Sequence, residues 1–375
     1  MVYNFFCKLI IFILKILSLF LAFFLLLTIL GWVSPYISNI HSYSLLQRLL
    51  TFESPINQTI KHYIPTKVAG YDLSRLLTII VILFLSEQVQ SLIGKVQFSI
   101  QKQYSDVKNF LHELVRTHPG TTRTVIVGPS DSGDMIEGVA IGQGAMHNLV
   151  VGTHHGNEYG STEVAMAFAA SMAENPIADQ TIYVIPVLNI SGYNAREREE
   201  KDANGYYRDP NRDYPGPCGT DGPYHLKSTA ALAKFIDQEN IIASATLHTF
   251  YPAVVYPWGI STYDVSTPYD DIFISLGKYA TELSGYTVGN SSQVIYPADG
   301  CYEDYAFWKS GVWSMLFELG YSHSPSQSEI DEMIRTNVPG LRKMLEQAPR
   351  EKAAKHEFTG MCDVRRLGRL DRRDE

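Results

Sequence analysis

Short apolar segments alternate with longer amphipathic segments from residue 103 to residue 348. The short segments are typical of buried strands, and the longer ones carry apolar residues at helical spacing. Strands that alternate with helices predict an α/β fold, in which two helical layers cover a mixed, mostly parallel central sheet. The predicted strands are "TVIVG", "MIEGVAIG", "NLVVG", "TIYVIPVLN", "IIASATLHTF" and "VWSMLFELG".

The carboxyl end of this domain is a predicted helix, "SEIDEMIRTNVPGLRKMLEQ". We expect Pro339 to interrupt it, because proline lacks the N–H that a helix interior needs. Residues 349–375 follow and are polar, with several arginines and few apolar residues. A segment of this composition cannot bury a core, so we expect it to be disordered.

The amino end has a different pattern from the rest of the chain. Residues 16–33 contain no charged residue, and "LIIFIL" extends this apolar stretch upstream. The stretch is long enough to cross a bilayer. Lys8 and Lys15 precede it and Arg48 is the first basic residue after it, which favours the amino end inside and the rest outside. Without an evident cleavage site, residues 1–33 are predicted to form a membrane anchor rather than a signal peptide.

A second apolar run, "LLTIIVILFL" at residues 76–85, lies in the segment 34–102 that connects the anchor to the domain. Extended over residues 74–94 it is long enough to cross the membrane, with Glu87 as a cost. The other interpretation is a buried or interfacial helix, continued by a connecting helix towards residue 100. One span leaves the domain outside, on the periplasmic side in a bacterium, and two spans return it to the cytoplasm.

The composition excludes some classes of partner. The net charge is −8 and no basic stripe carries interleaved aromatic residues, so we expect no nucleic-acid partner. The four cysteines form no CxxC motif, which argues against a cysteine zinc site or a redox motif. Cys218 and Cys301 both lie in the predicted domain and could pair in an oxidising compartment.

The stretch "VVGTHHGNEYGS" holds the strongest candidate chemistry. His155 and Glu158 follow a predicted buried strand, so both should lie at the carboxyl edge of the sheet, where α/β proteins build their sites. Histidine and glutamate are zinc ligands, and a catalytic zinc site has three of them. The third candidate is His248, near the end of another strand. His154 is expected to point elsewhere, since neighbouring side chains on an extended backbone diverge.

Two other segments suggest how such a site would be used. The proline-bounded loop "RDPNRDYPGP" contains Asn211 and Arg212, and arginine is suited to bidentate binding of a carboxylate. Glu318 lies in the apolar strand "MLFEL". A buried carboxylate is costly unless it has a partner or a function, and beside a metal-bound water it can act as a general base.

Together these segments resemble the zinc metallocarboxypeptidases of the carboxypeptidase A/B kind. The matching segments are "HGNE", "DPNRDYP", "LHTFYPAVVYPWG", "IYPADG" and "FELG". The resemblance implies a carboxypeptidase-like fold and one Zn²⁺ per domain, which polarises the attacking water while Glu318 takes its proton. It implies a peptide or peptide-like amide substrate with a free carboxylate, and it assigns the metal ligands as His155, Glu158 and His248.

The resemblance also assigns the substrate-binding groups. It implies that Asn211, Arg212 and Tyr296 hold the terminal carboxylate, and that an arginine after "NISGY" stabilises the oxyanion. That arginine is Arg198, with Arg196 as the second candidate. Glu303 falls where the family lines its side-chain pocket, which favours a basic substrate side chain; the other interpretation is an exposed loop residue.

Two other functions fit parts of the pattern. "GTHHGNE" is similar to the "GxHGNE" of zinc deacylases of the aspartoacylase and succinylglutamate desuccinylase group, which act on N-acyl amino acids. The segment "YPWG" and the 22 residues from Tyr296 to Glu318 fit the carboxypeptidases better. A non-catalytic, membrane-tethered binding domain is the second alternative, although such a domain needs neither the metal ligands nor the general base.

Overall fold

The computed structural model describes residues 2–33, 55–64, 67–68, 71–99, 102–219, 223–261 and 266–362. The chain forms two compact units, Met1–Gln101 and Lys102–Glu375. In the first unit, α1 and α3 share a small apolar cluster that contains Leu21, Ile82 and Ile93. The elements of this unit are α1 (Val2–Val33), α2 (Pro55–Tyr63), β1 (Lys67–Val68), β2 (Tyr71–Asp72) and α3 (Ser74–Ser99).

Two helices of the first unit are long and apolar enough to cross a membrane. These stretches are Leu9–Leu30 within α1 and Ser74–Ile93 within α3. The second apolar run and the predicted connecting helix form one continuous helix, α3. Length and composition define candidate spans, so the number of crossings and the orientation stay predictions.

The second unit is built on an eight-stranded sheet of mixed direction. Its strand order is β11-β10-β12-β9-β5-β6-β4-β3, and β12, β9, β5 and β6 are parallel to one another. All positions of β6 and β9 are buried, as in strands that are covered on both faces. The strands are β3 (Thr122–Pro129), β4 (Met135–Ile141), β5 (Met146–Gly152), β6 (Gln180–Ile185), β7 (Glu200–Lys201), β8 (Tyr207–Arg208), β9 (Ala243–His248), β10 (Ala253–Tyr256), β11 (Thr287–Asn290) and β12 (Trp313–Glu318).

The helices of the second unit form two groups around this sheet. Helix α11 packs against α5 and α8, and α10 packs against α7. The predicted α/β architecture with a mixed, mostly parallel sheet is confirmed. The helices are α4 (Tyr104–Thr117), α5 (Tyr159–Glu174), α6 (Ile190–Ala195), α7 (Lys227–Gln238), α8 (Asp270–Ala280), α9 (Ser291–Val294), α10 (Tyr302–Ser310) and α11 (Gln327–Gln347).

The last helix differs from its prediction. Helix α11 runs through Pro339 without interruption. Val338 and Leu341 are buried on either side of the proline, and Gly340 packs so closely that a Cβ there would lie 2.0 Å from the carbonyl oxygen of Ala280. This packing offsets the one helical hydrogen bond that the proline removes.

The cysteine pairing and the carboxyl-terminal segment also differ from expectation. Cys218 is bonded to Cys362, and Cys301 is a free thiol. The pairing of Cys218 with Cys301, which the sequence left open, therefore does not form. The predicted disorder of residues 349–375 is wrong as far as Cys362: Ala353 is buried and its N–H donates to the carbonyl of Gly311 at 2.8 Å. Residues 363–375 lie outside the described residues.

Removal of this disulfide is expected to destabilise the second unit. The bond joins residues 144 positions apart, and closing so long a loop restricts the unfolded chain by about 2–5 kcal/mol. We expect Cys218→Ser to lower the melting temperature by roughly 5–15 °C, as measured by calorimetry of the detergent-solubilised protein. Wild type and variant should melt together in excess dithiothreitol; a difference that persists there would show that the serine itself destabilises the fold.

Candidate active site

The site lies where three neighbouring strands end at one edge of the sheet. In the sheet, β9 lies between β5 and β12, and the chain leaves β5 towards β6 on one side before it returns to β9 on the other. Such a switch point opens a crevice at the carboxyl ends of the strands. His248 ends β9 and Glu318 ends β12, and the two residues are register partners.

The turn after β5 brings two further side chains to this edge. Glu158 is the N-cap of α5, so the strand-to-helix turn places both His155 and Glu158 beside the end of β9. Gly156 allows the close approach that this turn needs, because a Cβ there would lie 1.9 Å from the carbonyl carbon of Gly192. A larger residue at position 156 would therefore prevent the turn from packing against Gly192.

The triad, defined as His155, Glu158 and His248, is buried and has converging donor atoms. His155 Nδ1 lies 2.8 Å from Glu158 Oε1, His248 Nδ1 lies 3.0 Å from Glu158 Oε2, and the two Nδ1 atoms are 3.2 Å apart. Ligands on a tetrahedral zinc ion, with bonds of 2.0–2.1 Å, lie about 3.3 Å apart. The types of ligand atom and their spacing therefore fit zinc. In the described part of the chain, the triad is the one group of this kind.

Asp209 contacts the triad from outside, and its sequence position alone predicted no function for it. Its Oδ1 lies 2.9 Å from His155 Nε2, and its Oδ2 accepts from Arg198 Nη2 at 2.8 Å. A carboxylate on the distal nitrogen of a metal-binding histidine fixes the ring and its tautomer. Burial opposes the charge of Asp209, but His155 and Arg212 outweigh it and hold its pKa well below the usual range.

His154 lies beside the triad and is not part of it. Its Nε2 lies 3.1 Å from the hydroxyl of Tyr214, and its ring stacks on that of His248 at 5.5 Å. Burial lowers its pKa well below the usual value. The residue is therefore a neutral packing partner of the triad, in agreement with the divergence expected from its position.

Glu318 lies next to the triad, beside His248 in the sheet register, and its side chain is half-buried. Its Oε2 is shielded from solvent and makes no hydrogen bond to the described residues. Burial, and after it the charge of Glu158, raise the pKa of Glu318 well above the usual value. Such a group binds a proton readily, which is the property that a general base at a water needs.

The two arginines proposed for the oxyanion have different surroundings. Arg198 lies at the site, with Nη1 3.7 Å from Glu158 Oε1 and two bonds to Asp209. Burial opposes its charge, but Asp209 and Glu158 raise its pKa above the usual value. Arg196 instead donates to the carbonyls of Tyr193 and Lys102, so it does not reach the triad through these contacts.

The predicted carboxylate-binding residues lie together. Arg212 Nη2 donates to the hydroxyl of Tyr296 at 3.1 Å, and its Nη1 donates to the Sγ of Cys301 at 3.3 Å. Asn211 Oδ1 accepts from the backbone N–H of Tyr302 at 2.9 Å, so the amide is oriented by that bond. Tyr296 is 48% exposed, which leaves it accessible to a ligand.

Glu303 is buried, so the exposed-loop interpretation is wrong. It lies in the first turn of α10, and its Oε1 accepts from the hydroxyl of Thr246, two residues before His248. No lysine or arginine in the described ranges forms an ion pair with it. Glu303 is therefore a buried acidic side chain next to β9, without a basic partner among the described residues.

Curated proteins that resemble this chain are carboxypeptidases, matched over part of their length. Carboxypeptidase O from Bos taurus is 28% identical over 170 residues, which cover 36% of this chain and 44% of that protein. Carboxypeptidase B from Rattus norvegicus is also 28% identical over 170 residues, which cover 36% of this chain and 40% of that protein. The chain thus spans less than half the length of these relatives.

Solved structures and a family model cover more of the chain. Bovine thrombin-activatable fibrinolysis inhibitor, in complex with tick carboxypeptidase inhibitor, matches with a TM-score of 0.60 and 17% identity, over 66% of this chain and 97% of that one. Carboxypeptidase A from Helicoverpa armigera matches with a TM-score of 0.59 and 17% identity, over 67% and 74%. These likenesses show the fold. The model of the zinc carboxypeptidase family matches residues 107–340, more than half of the chain, and the protein belongs to that family.

Proposed function

We propose that the protein is a zinc-dependent carboxypeptidase, which removes the terminal residue of a peptide or peptide-like amide with a free carboxylate. One observation carries the proposal: the buried triad lies beside the half-buried carboxylate of Glu318, whose Oε2 is shielded and has no hydrogen-bond partner among the described residues. A metal site and a proton acceptor at one sheet edge are what hydrolysis by an activated water requires.

The residues of the chain divide the reaction between them. Zinc held by the triad would supply a Lewis acid and lower the pKa of a bound water. Glu318 takes the proton of the attacking water, and its raised pKa lets it hold that proton until the leaving amine accepts it. Arg198 donates hydrogen bonds to the oxygen on which negative charge develops, and Asp209 keeps Arg198 in place.

Capture of the substrate carboxylate explains trimming of chain ends. Arg212 and Tyr296 already contact each other, and the preceding residue, Asn211, is buried with its Oδ1 held by the backbone N–H of Tyr302. An arginine fork binds a carboxylate in a bidentate manner. An internal peptide bond offers no carboxylate at this position, so it would lack the main anchoring interaction.

The direct test compares one peptide with a free and with an amidated carboxyl terminus, analysed by mass spectrometry. We expect the purified, zinc-loaded protein to shorten the free peptide by one residue and to leave the amide intact. Hydrolysis of N-acetylated amino acids in place of peptides would support the deacylase alternative. A zinc-loaded protein that cleaves neither substrate would support the binding-domain alternative.

We also propose that Glu303 selects a basic terminal side chain. Glu303→Gln removes the charge but keeps the shape. We expect kcat/KM for a terminal lysine to fall by about 10–100-fold, because loss of one partner of a buried charge pair costs a few kcal/mol. Hydrolysis of a terminal leucine, assayed with the same enzyme preparation, should change by less than about threefold. Equal losses for lysine and leucine would contradict a role in specificity.

Membrane attachment through α1 is part of the proposal. The candidate span Leu9–Leu30 supports it, and the Cys218–Cys362 disulfide favours an oxidising, extracytoplasmic location for the second unit. Protease added to spheroplasts, whose inner membrane is intact and exposed, should then degrade the second unit. Protection until that membrane is opened would place the unit in the cytoplasm, as expected if α3 also spans.

A further inference from the structure

We propose that His323 is a second hydrogen-bond donor to the oxyanion, acting together with Arg198. The inference rests on the proposed function and adds a catalytic residue to it. His323 lies in the segment between β12 and α11, five positions after Glu318. No motif of the sequence singled it out, since it has no fixed spacing to the triad.

The position of His323 is defined by a shared neighbour. His323 Nδ1 lies 3.9 Å from Glu158 Oε1, the same oxygen that lies 3.7 Å from Arg198 Nη1. Glu158 Oε1 is also the carboxylate oxygen that lies 2.8 Å from His155 Nδ1. A substrate carbonyl oxygen that approaches the triad on this side would therefore meet two N–H donors, one from each residue.

The environment of the imidazole indicates a ligand. Nδ1 is shielded from solvent and has no hydrogen-bond partner among the described residues, although the side chain as a whole is 41% exposed. A shielded polar atom without a partner costs free energy, and a half-exposed ring contributes little to the core. A substrate oxygen would satisfy this nitrogen, which is the simplest reason for its orientation.

The ring is held in this orientation by a neighbour that is itself accessible. The ring of Phe250 meets that of His323 edge to face, with centroids 4.8 Å apart. Phe250 follows His248 by two residues and is 46% exposed. This contact fixes the imidazole plane and leaves Nδ1 directed at Glu158, so little rotamer freedom would be lost when the hydrogen bond to substrate forms.

His323 faces the triad without belonging to it. The group of donor atoms that all lie within 4.8 Å of one another consists of His155, Glu158 and His248. His323 therefore acts on the reacting oxygen rather than on the metal. Its Nδ1–H donates a hydrogen bond and transfers no proton, while the water proton goes to Glu318 as before.

The test uses His323→Leu and His323→Asn in the full-length, zinc-loaded protein. Asparagine places an N–H donor near the position of Nδ1, and leucine removes it. We expect His323→Leu to lower kcat by about tenfold with KM changed by less than twofold, because the bond forms in the transition state. His323→Asn should stay within about threefold of wild type. Zinc content and melting temperature should be equal in all three proteins.

A binding measurement gives a readout that does not depend on turnover. A phosphonate dipeptide analogue carries a tetrahedral, charged oxygen, so its Kd should rise about tenfold in His323→Leu and recover in His323→Asn. Binding of free lysine, a product without that oxygen, should not change. A His323→Leu protein with wild-type kcat and phosphonate affinity would overturn the proposal, and so would weaker zinc binding, which would make His323 a metal contact. A wild type that hydrolyses no peptide overturns the proposed function as well.

Discussion

Replacement of Glu318 by glutamine is expected to reduce kcat for peptide hydrolysis by about a thousandfold, with zinc retained. The amide has nearly the same shape as the carboxylate, but it cannot take a proton from the attacking water, and general-base catalysis typically contributes 10²–10⁴-fold. The substitution also removes a carboxylate whose pKa is raised by burial and, after it, by the charge of Glu158. We therefore expect the variant to be at least as stable as wild type.

The measurement combines steady-state kinetics with metal analysis of the same preparation. KM should change little, because the Glu318 carboxylate binds the water and not the terminal carboxylate of the substrate. Glu332→Gln is a matched control, since Glu332 is an exposed residue of α11 paired with Arg335, and it should have wild-type kinetics. Full activity in a zinc-loaded Glu318→Gln protein would remove the general base from the mechanism.

The sequence predicted best the elements that are buried at every position and the residues that are related by short spacing. Strands β6 and β9 are buried at every position because both faces are covered, and neither contains a lysine, arginine, aspartate or glutamate. Residues of the triad were found because His155 and Glu158 are three positions apart and His248 ends a buried strand. These relations are local, or depend on strand ends that a parallel sheet brings to one edge.

The features that escaped prediction depend on contacts between distant segments. Cys218 pairs with Cys362 because the carboxyl-terminal segment packs against the domain, and a polar composition does not reveal this packing. Strands β10 and β11 have four residues each, too few for a clear period. Asp209 did carry a signal, as the first residue of "DPNRDYP", but its function follows only from its contacts with His155 and Arg198.

Removal of a triad ligand is expected to have the largest effect of all. His248→Ala leaves two ligands, too few for a catalytic zinc site, so we expect zinc to be lost and hydrolysis to fall to the background rate. Because zinc binds the folded state, its loss also removes stability, by about 4 kcal/mol when zinc is present at a thousand times its dissociation constant. The melting temperature in zinc should then fall by roughly 8–16 °C.

Chelation separates the metal effect from the effect of the mutation itself. With EDTA, the wild type should lose hydrolysis and also the stability that zinc binding contributes, and added zinc should restore both. The activity and melting temperature of the His248→Ala protein should change with neither reagent. His154→Phe is the matched control, since His154 stacks on His248 but supplies no donor atom to the triad, and this variant should still bind zinc. A His248→Ala protein that retains stoichiometric zinc and hydrolyses peptides would show that the metal lies elsewhere. The switch point of the sheet would then carry a different function, because the proton acceptor at Glu318 and the donors at Arg198 are useful to hydrolysis only beside an activated water.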